Sequence, residues 1–322
     1  MEATTLGDSG VIVSRLGLGL AALGRPAYIN VGHDEDLEGH LSVALLREQA
    51  HSVLDAALAA GITYVDAARS YGKAEAFLAG WLADRHIDTG KVVAGSKWGY
   101  TYTADWAMDA DAHEVKEHSR ENLDRQVAES RSLLGKYLRL YQIHSATRES
   151  GVLDNREVLA RLADLRDDGM LIGLTASGVG QADIIRQALG IERGGARVFA
   201  SVQATWNLLE PSAGPALAEA HAAGVGVIIK EALANGRLTS RDPALAERLE
   251  QTAPGFSPDA VALAGALHRP WVDVVLSGAA TVDQLASNVN AFAVPETAVA
   301  EVEGMAEDPA AYWTARSELA WT

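Results

Sequence analysis

Eight short runs rich in β-branched residues recur along the chain, each followed by an Ala/Leu-rich stretch of helical period. They fall at residues 16–20, 63–66, 91–97, 138–144, 171–175, 198–203, 226–230 and 272–277. Their apolar content is close to continuous rather than alternating, as expected of parallel strands covered on both faces. Eight such units predict an α/β protein, a (β/α)8 TIM barrel, preceded by a β-hairpin over residues 4–14 that turns at Gly7-Asp8-Ser9-Gly10. A length of 322 residues alone would suggest roughly two domains. Two open sheets of four strands are the rival arrangement. No Pro/Gly/Ser-rich linker lies near mid-chain, so one barrel domain over residues 1–322 is expected.

The spacing between runs is uneven in two places. Residues 25–46 form a long polar insertion carrying Tyr28, Asn30, His33 and His40. Residues 236–258, with Pro243, Pro254 and Pro258, form a second extended connection. Loops of that length are usually functional lids or disordered. His33 and His40 are expected to be solvated. The longest helical stretch, 111–135, sets Leu123, Val127 and Leu134 on one face and ends on Gly135.

Charge and composition exclude several function classes. Lys and Arg number 27 against 43 Asp and Glu, a formal charge of −16, which repels phosphate backbones and anionic membrane surfaces. With no Cys, the chain has no disulfide, thiolate metal site or cysteine nucleophile. The opening Met1-Glu2-Ala3-Thr4 lacks a basic leader, and no apolar run approaches the length of a membrane span. A cytoplasmic protein that binds neither nucleic acid nor membrane is expected, as a monomer or weak homo-oligomer.

Familiar motifs fail on inspection. Gly17-Leu-Gly19-Leu20-Ala-Ala22 matches a permissive dinucleotide fingerprint, but Gly24-Arg25-Pro26 leaves no room for the helix that the fingerprint requires. His113, Glu114 and His118 superficially suggest a metalloprotease helix. Their five-residue spacing puts the histidines about 140° apart, so a solvated helix face is expected and no metal. There is no P-loop and no nucleophile elbow.

Four chemically complementary residues do stand together. The second run ends in Asp66, with Tyr71 just beyond, the third in Lys97 and the fourth in His144. In a parallel barrel these ends share the mouth where such folds place their sites. A tyrosine of ordinary pKa near 10 is a poor acid, and an adjacent cation should lower it, so Lys97 is expected to tune Tyr71 as general acid/base. Asp66 can hold Lys97, and His144 can hydrogen-bond the substrate oxygen or relay a proton. Such a group handles one proton at an alcohol or carbonyl oxygen, so a cofactor must move the hydride.

The segments around Asp66 and Tyr71 (61–72) and His144 (140–144), with Lys97, resemble the signatures of the aldo-keto reductases over nearly the whole length. The resemblance implies an NAD(P)(H)-dependent oxidoreductase acting on an aldehyde, ketone or aldose. It places the cofactor against Gly19 and Leu20, with Thr175 and Gln203 at the carboxamide. Lys230 stands where the family has a ring-stacking aromatic, followed by Ala232, Leu233 and Gly236. Ser277, Gly278, Ala280, Gln284 and Asn288 would meet the adenosine end. That last segment carries Asp283 and no cation against a 2′-phosphate, so although NADP(H) and NAD(H) are both candidates, weak or absent NADP preference is expected. Trp98, Trp206 and Tyr28 are candidate substrate walls, and Trp206 or the first long loop could supply the missing stacking partner. Tyr100, Tyr102, Tyr312, Trp313 and Trp321 add aromatics nearby. An NAD-dependent aldose dehydrogenase forming a lactone, and a cofactor-sensing subunit with little turnover, are the alternatives.

Overall fold

In the computed structural model, which describes residues 1–36, 42–108, 110–300 and 304–321, all eight runs become strands of one closed parallel barrel. The strands are β1 (Leu16–Gly19), β2 (Tyr64–Asp66), β3 (Val93–Trp98), β4 (Leu138–Ala146), β5 (Leu171–Ala176), β6 (Ser201–Thr205), β7 (Gly226–Lys230) and β8 (Val274–Ser277). They pair in chain order, and β8 closes onto β1 with Ser277 opposite Leu18. The intervening helices are α1 (Val43–Ala59), α2 (Ala74–Asp84), α3 (Arg120–Leu134), α4 (Arg156–Asp167), α5 (Gln181–Leu189) and α6 (Gly214–Ala222). After β7 come α7 (Pro243–Thr252) and α8 (Pro258–Leu267), after β8 comes α9 (Val282–Val289), and α10 (Pro309–Ser317) lies near the C-terminus.

Side chains alternate across each strand, so one set faces the helices and the other fills the barrel. Val65, Ile143, Leu174 and Val275 join Leu54, Leu78, Leu123 and Leu162 of the helices in the main apolar core. A smaller cluster of Tyr64, Leu140, Ile228, Val274 and Leu276 includes Leu6 and Val13 of the N-terminal hairpin, Ala3–Thr5 paired with Ile12–Ser14. The hairpin docks through Asp8 N–H to the Gly224 carbonyl (2.9 Å), beside the start of β7. The N-terminal end of the barrel is thereby plugged, leaving the opposite mouth for function.

Three local expectations are corrected. The stretch 111–135 is helical only from Arg120, because Glu114–Lys116 pairs antiparallel with Tyr100–Tyr102 and Ser119 caps α3 by accepting from Asn122 N–H. His113 and His118 therefore lie on this hairpin and its exit rather than on a helix face. The connection 236–258 contains α7. Pro243 and Pro258 sit in the first turns of α7 and α8, after the side-chain caps Asp242 and Ser257, where proline's missing N–H costs nothing. His33 is fully buried in a single turn, His33–Asp36, and is not solvated. His40 lies outside the described residues.

The interior register aligns Gly19 with Asp66 and Asp66 with Gly95. Gly95 is required there: a Cβ would overlap the Tyr64 hydroxyl. Gly95→Ala is expected to lower stability by about 1–3 kcal/mol, the usual cost of overpacking. Tyr64→Phe should restore part of that loss in the double variant. Urea midpoints of the two single variants and the double check this, and simple additivity would contradict it.

Candidate active site

The site is assembled by strand alternation. In β3, Lys97 points into the barrel, and its Nζ donates to Asp66 Oδ2 and to the Ala67 carbonyl (3.0 Å). Asp66 Oδ1 accepts from Tyr64 Oη (3.1 Å), Gln142 Nε2 (3.3 Å) and Gln203 Nε2 (3.2 Å). A buried carboxylate without partners would be costly, and here β2, β3, β4 and β6 each supply a donor. The turn after β2 is held on both sides. Arg69 N–H donates to the Lys97 carbonyl (3.0 Å), and Lys73 N–H to the Gly24 carbonyl (2.7 Å). Gly24 itself has no room for a Cβ, which would overlap the Tyr71 carbonyl oxygen.

Tyr71 stands at the centre of the mouth. Its ring lies 4.8 Å from Lys97 Nζ and 5.3 Å from the Arg25 guanidinium carbon, with the His144 ring edge-on at 5.5 Å. Burial and the Asp66 carboxylate push the Tyr71 hydroxyl well above the ordinary tyrosine value, Arg25 opposing them. This corrects the expectation of a lowered value. The Lys97 ammonium is committed to Asp66, so desolvation of the phenolate prevails. Burial, with Lys97 and Arg25 nearby, holds His144 well below the usual histidine range, so its ring is neutral. Ser70 Oγ lies 3.4 Å from His144 Nδ1, and His118 Nε2 donates to the His144 carbonyl (2.9 Å).

A cavity of about 490 Å³ opens over this group. It runs past Gly19, Asp66, Tyr71, His144 and Gln203, then Lys230, Ala232, Leu233 and Gly236, to Ser277, Gly278, Gln284 and Asn288. At that end Thr281 caps α9, and a Cβ built on Gly278 meets nothing within 4 Å, so the backbone is open to an approaching ligand. Lys230 Nζ donates to Thr205 Oγ1 (2.7 Å) and Ser177 Oγ (3.1 Å), and burial brings its pKa down to about 8. Glu231, in the cavity wall at φ 56°, pairs with Arg316 of α10.

Several expected residues lie elsewhere. The alternation that turns Lys97 inward turns Trp98 outward into the core, fully buried against His118. Trp206 packs on Trp271 (5.7 Å) and Arg269 (5.0 Å) rather than on the cavity, so it offers no stacking face there. Leu20 joins the apolar core. The Thr175 hydroxyl accepts from Ser145 N–H (2.6 Å) and does not line the cavity, whereas Ser177, just beyond the end of β5, does. Ala280 is buried and its backbone is bonded to the side chains of Gln284 and Gln49. Tyr28 does line the cavity. Sequence reasoning missed Arg25, Glu114, Ser177, Arg241 and Arg316. The one available signal was Gly24-Arg25-Pro26, a charged residue fixed in a turn beside the first strand end.

His33 and His118 share the depression of His144, both to about 4 through burial. A histidine whose folded pKa lies below its unfolded value leaves the unfolded chain binding more protons as pH falls. Stability is therefore expected to be full above about pH 6.5 and to decline between pH 6.5 and 4. Urea midpoints across that range test this, with His33→Gln and His118→Gln each flattening the slope. A midpoint that does not fall would contradict it.

A closed βα barrel with a phenol, ammonium, carboxylate and imidazole gathered at its mouth, beside a cavity reaching a helix N-terminus, defines a barrel oxidoreductase. The chain belongs to the aldo/keto reductase family, whose model matches residues 15–307. It is an NAD(P)H-dependent oxidoreductase, and carbonyl reduction is the chemistry that this membership implies. Among curated proteins it is 23% identical over 317 residues to the uncharacterized oxidoreductase YqkF of Bacillus subtilis strain 168, covering 90% of this chain and 91% of that protein. Among solved structures, aldo-keto reductase AKR11C1 of Bacillus halodurans in its holo form matches with TM-score 0.72 at 20% identity, over 96% of this chain and 98% of its own. PA4992 of Pseudomonas aeruginosa matches with TM-score 0.64 at 23% identity, over 93% and 95%. At these identities the structures share the fold. Among the described residues, no helix is long and apolar enough to cross a membrane.

Proposed function

We propose that this chain, as one barrel domain, interconverts the carbonyl and alcohol forms of a small molecule, with Tyr71 as the proton donor to the carbonyl oxygen. The observation that carries this is the placement of Tyr71 in the wall of the long cavity, with neutral His144 edge-on to its ring and Lys97 beside it. Burial keeps the phenol protonated, so the proton is present when the carbonyl arrives. His144, being neutral, can hydrogen-bond the carbonyl oxygen without competing for its charge. Lys97 stabilises the negative charge that grows on Tyr71 as its proton leaves, and Asp66 keeps Lys97 in place.

The donor set of the cavity fits a nicotinamide dinucleotide. Gln203 and Lys230 would hold its ring end, and Ser277, Gly278, Gln284 and Asn288 its adenosine end at the α9 N-terminus. When bound, the cofactor supplies the hydride. Tyr71→Phe is expected to lower kcat by at least about a hundredfold. Cofactor affinity, read by fluorescence titration, should stay unchanged. Retained turnover would remove Tyr71 from this role. Tight cofactor binding by the wild type with no carbonyl reduced would favour the sensing alternative.

Cofactor choice follows from charge. Asp259 and Asp283 line the adenosine end, and the Arg241 guanidinium, also in the cavity wall, is paired with Asp36. A 2′-phosphate would meet two carboxylates and a guanidinium already in use, which supports NAD(H). Lys230 at the ring end disfavours a cationic oxidised ring, which supports the reducing direction over lactone formation. Titrations should show NADH binding more tightly than both NADPH and NAD⁺, with the preference over NAD⁺ reduced in Lys230→Met. Tighter binding of NADPH than NADH would overturn the cofactor assignment.

A further inference from the structure

Arg25 is a buried cation that the proton chemistry above does not need. Its guanidinium carbon sits 5.3 Å from the Tyr71 ring centroid, 5.3 Å from Tyr28 and 4.6 Å from Trp321, so three aromatic rings from three parts of the chain surround it. Both of its hydrogen bonds leave from Nη1, to the Ser70 carbonyl (2.9 Å) and to Glu114 Oε2 (3.0 Å). Among the described residues the buried Nε has no hydrogen-bond partner, although Arg25 is only 2% exposed and forms part of the cavity wall. A guanidinium carries five N–H donors in a fixed fork, and leaving them unpaired in a desolvated place is unfavourable.

We propose that Arg25 is a specificity-determining residue, donating to a neutral oxygen on the substrate carbon next to the reacting carbonyl. The preferred substrates are then 2-hydroxy carbonyl compounds. This inference rests on the carbonyl-reducing function proposed above. The position agrees with it: Arg25 lines the same cavity as Tyr71, its guanidinium carbon 5.3 Å from the Tyr71 ring centroid, so a carbonyl compound held at Tyr71 also lies beside Arg25. The charge around Arg25 selects a hydroxyl over a carboxylate. Glu114 already balances the Arg25 guanidinium, and Glu231 in the same wall balances Arg316, so neither guanidinium leaves an uncompensated positive charge for a carboxylate. Tyr28 and Trp321 close the sides of the same space with flat apolar faces. A substrate without the oxygen leaves the donor unpaired, and sites built to hydrogen-bond a hydroxyl reject analogues that lack it.

A matched two-carbon series tests the assignment: glycolaldehyde, acetaldehyde and glyoxylate differ only in what is attached to the aldehyde carbon. With NADH, the wild type should show kcat/KM for glycolaldehyde at least about tenfold above both others. In Arg25→Met the ratio of glycolaldehyde to acetaldehyde should collapse toward one, mainly through KM for glycolaldehyde, and Arg25→Lys should restore part of it. A thermal unfolding scan of each variant establishes that it is folded. A loss of packing alone would lower both rates and leave the ratio standing, which would overturn the proposal. Equal rates for glycolaldehyde and acetaldehyde in the wild type would also overturn it, leaving the carbonyl-reducing function intact. Glyoxylate as the best substrate would overturn the preference for a neutral oxygen. Reduction of none of the three, with either cofactor, would overturn the carbonyl-reducing function and this inference with it.

Discussion

The buried pair of Lys97 and Asp66 is the constraint on which the rest of the mouth depends. Both side chains are almost wholly out of water, at 1% and 2% exposure, where either charge alone would be strongly destabilising. Asp66 is tolerable because Tyr64, Gln142 and Gln203 complete its hydrogen bonds, and each of those residues is fixed by its strand. Gly95 is bare because the Tyr64 hydroxyl needs its space. The pair thus ties the interior layer of the barrel to the chemistry above it, and Lys97 arrives under Tyr71 with its orientation already decided.

Around that centre the mouth is lined with charges that are nearly all matched. Arg25 meets Glu114, Arg316 meets Glu231 and Arg241 meets Asp36. Each pair joins segments far apart in the chain, so the walls are held by contacts between loops and not by the strands alone. Such pairs contribute little where water reaches them and more where it is excluded. A polar, internally balanced wall suits a substrate that carries its own hydrogen-bonding groups better than a purely apolar one.

The barrel was legible because its signal is repetitive and local. Eight apolar runs with helical stretches between them state the topology through period alone, and Asp66, Lys97 and His144 are placed by counting to a strand end. The hairpin over 114–116 was hidden inside an apparently helical stretch, because its partner, Tyr100–Tyr102, lies on another segment. Trp98 and Trp206 were misjudged for a related reason. An aromatic near a strand end is equally visible whichever way it points, and one residue of register turns it from cavity to core.

The amino-acid sequence by itself determined the order of strands and helices, the family, and the grouping of Asp66, Tyr71, Lys97 and His144 at one end of the barrel. These follow from periodicity and from side chains adjacent to the strands that carry them. Only the tertiary structure decided how those groups titrate and what surrounds them. It set Tyr71 high instead of low, because desolvation depends on how completely neighbouring segments bury the ring. It also brought Arg25, Glu114 and Trp321 together over Tyr71. No local pattern encodes a contact between residues so far apart in the chain, since it exists only once the barrel has closed and its loops have met.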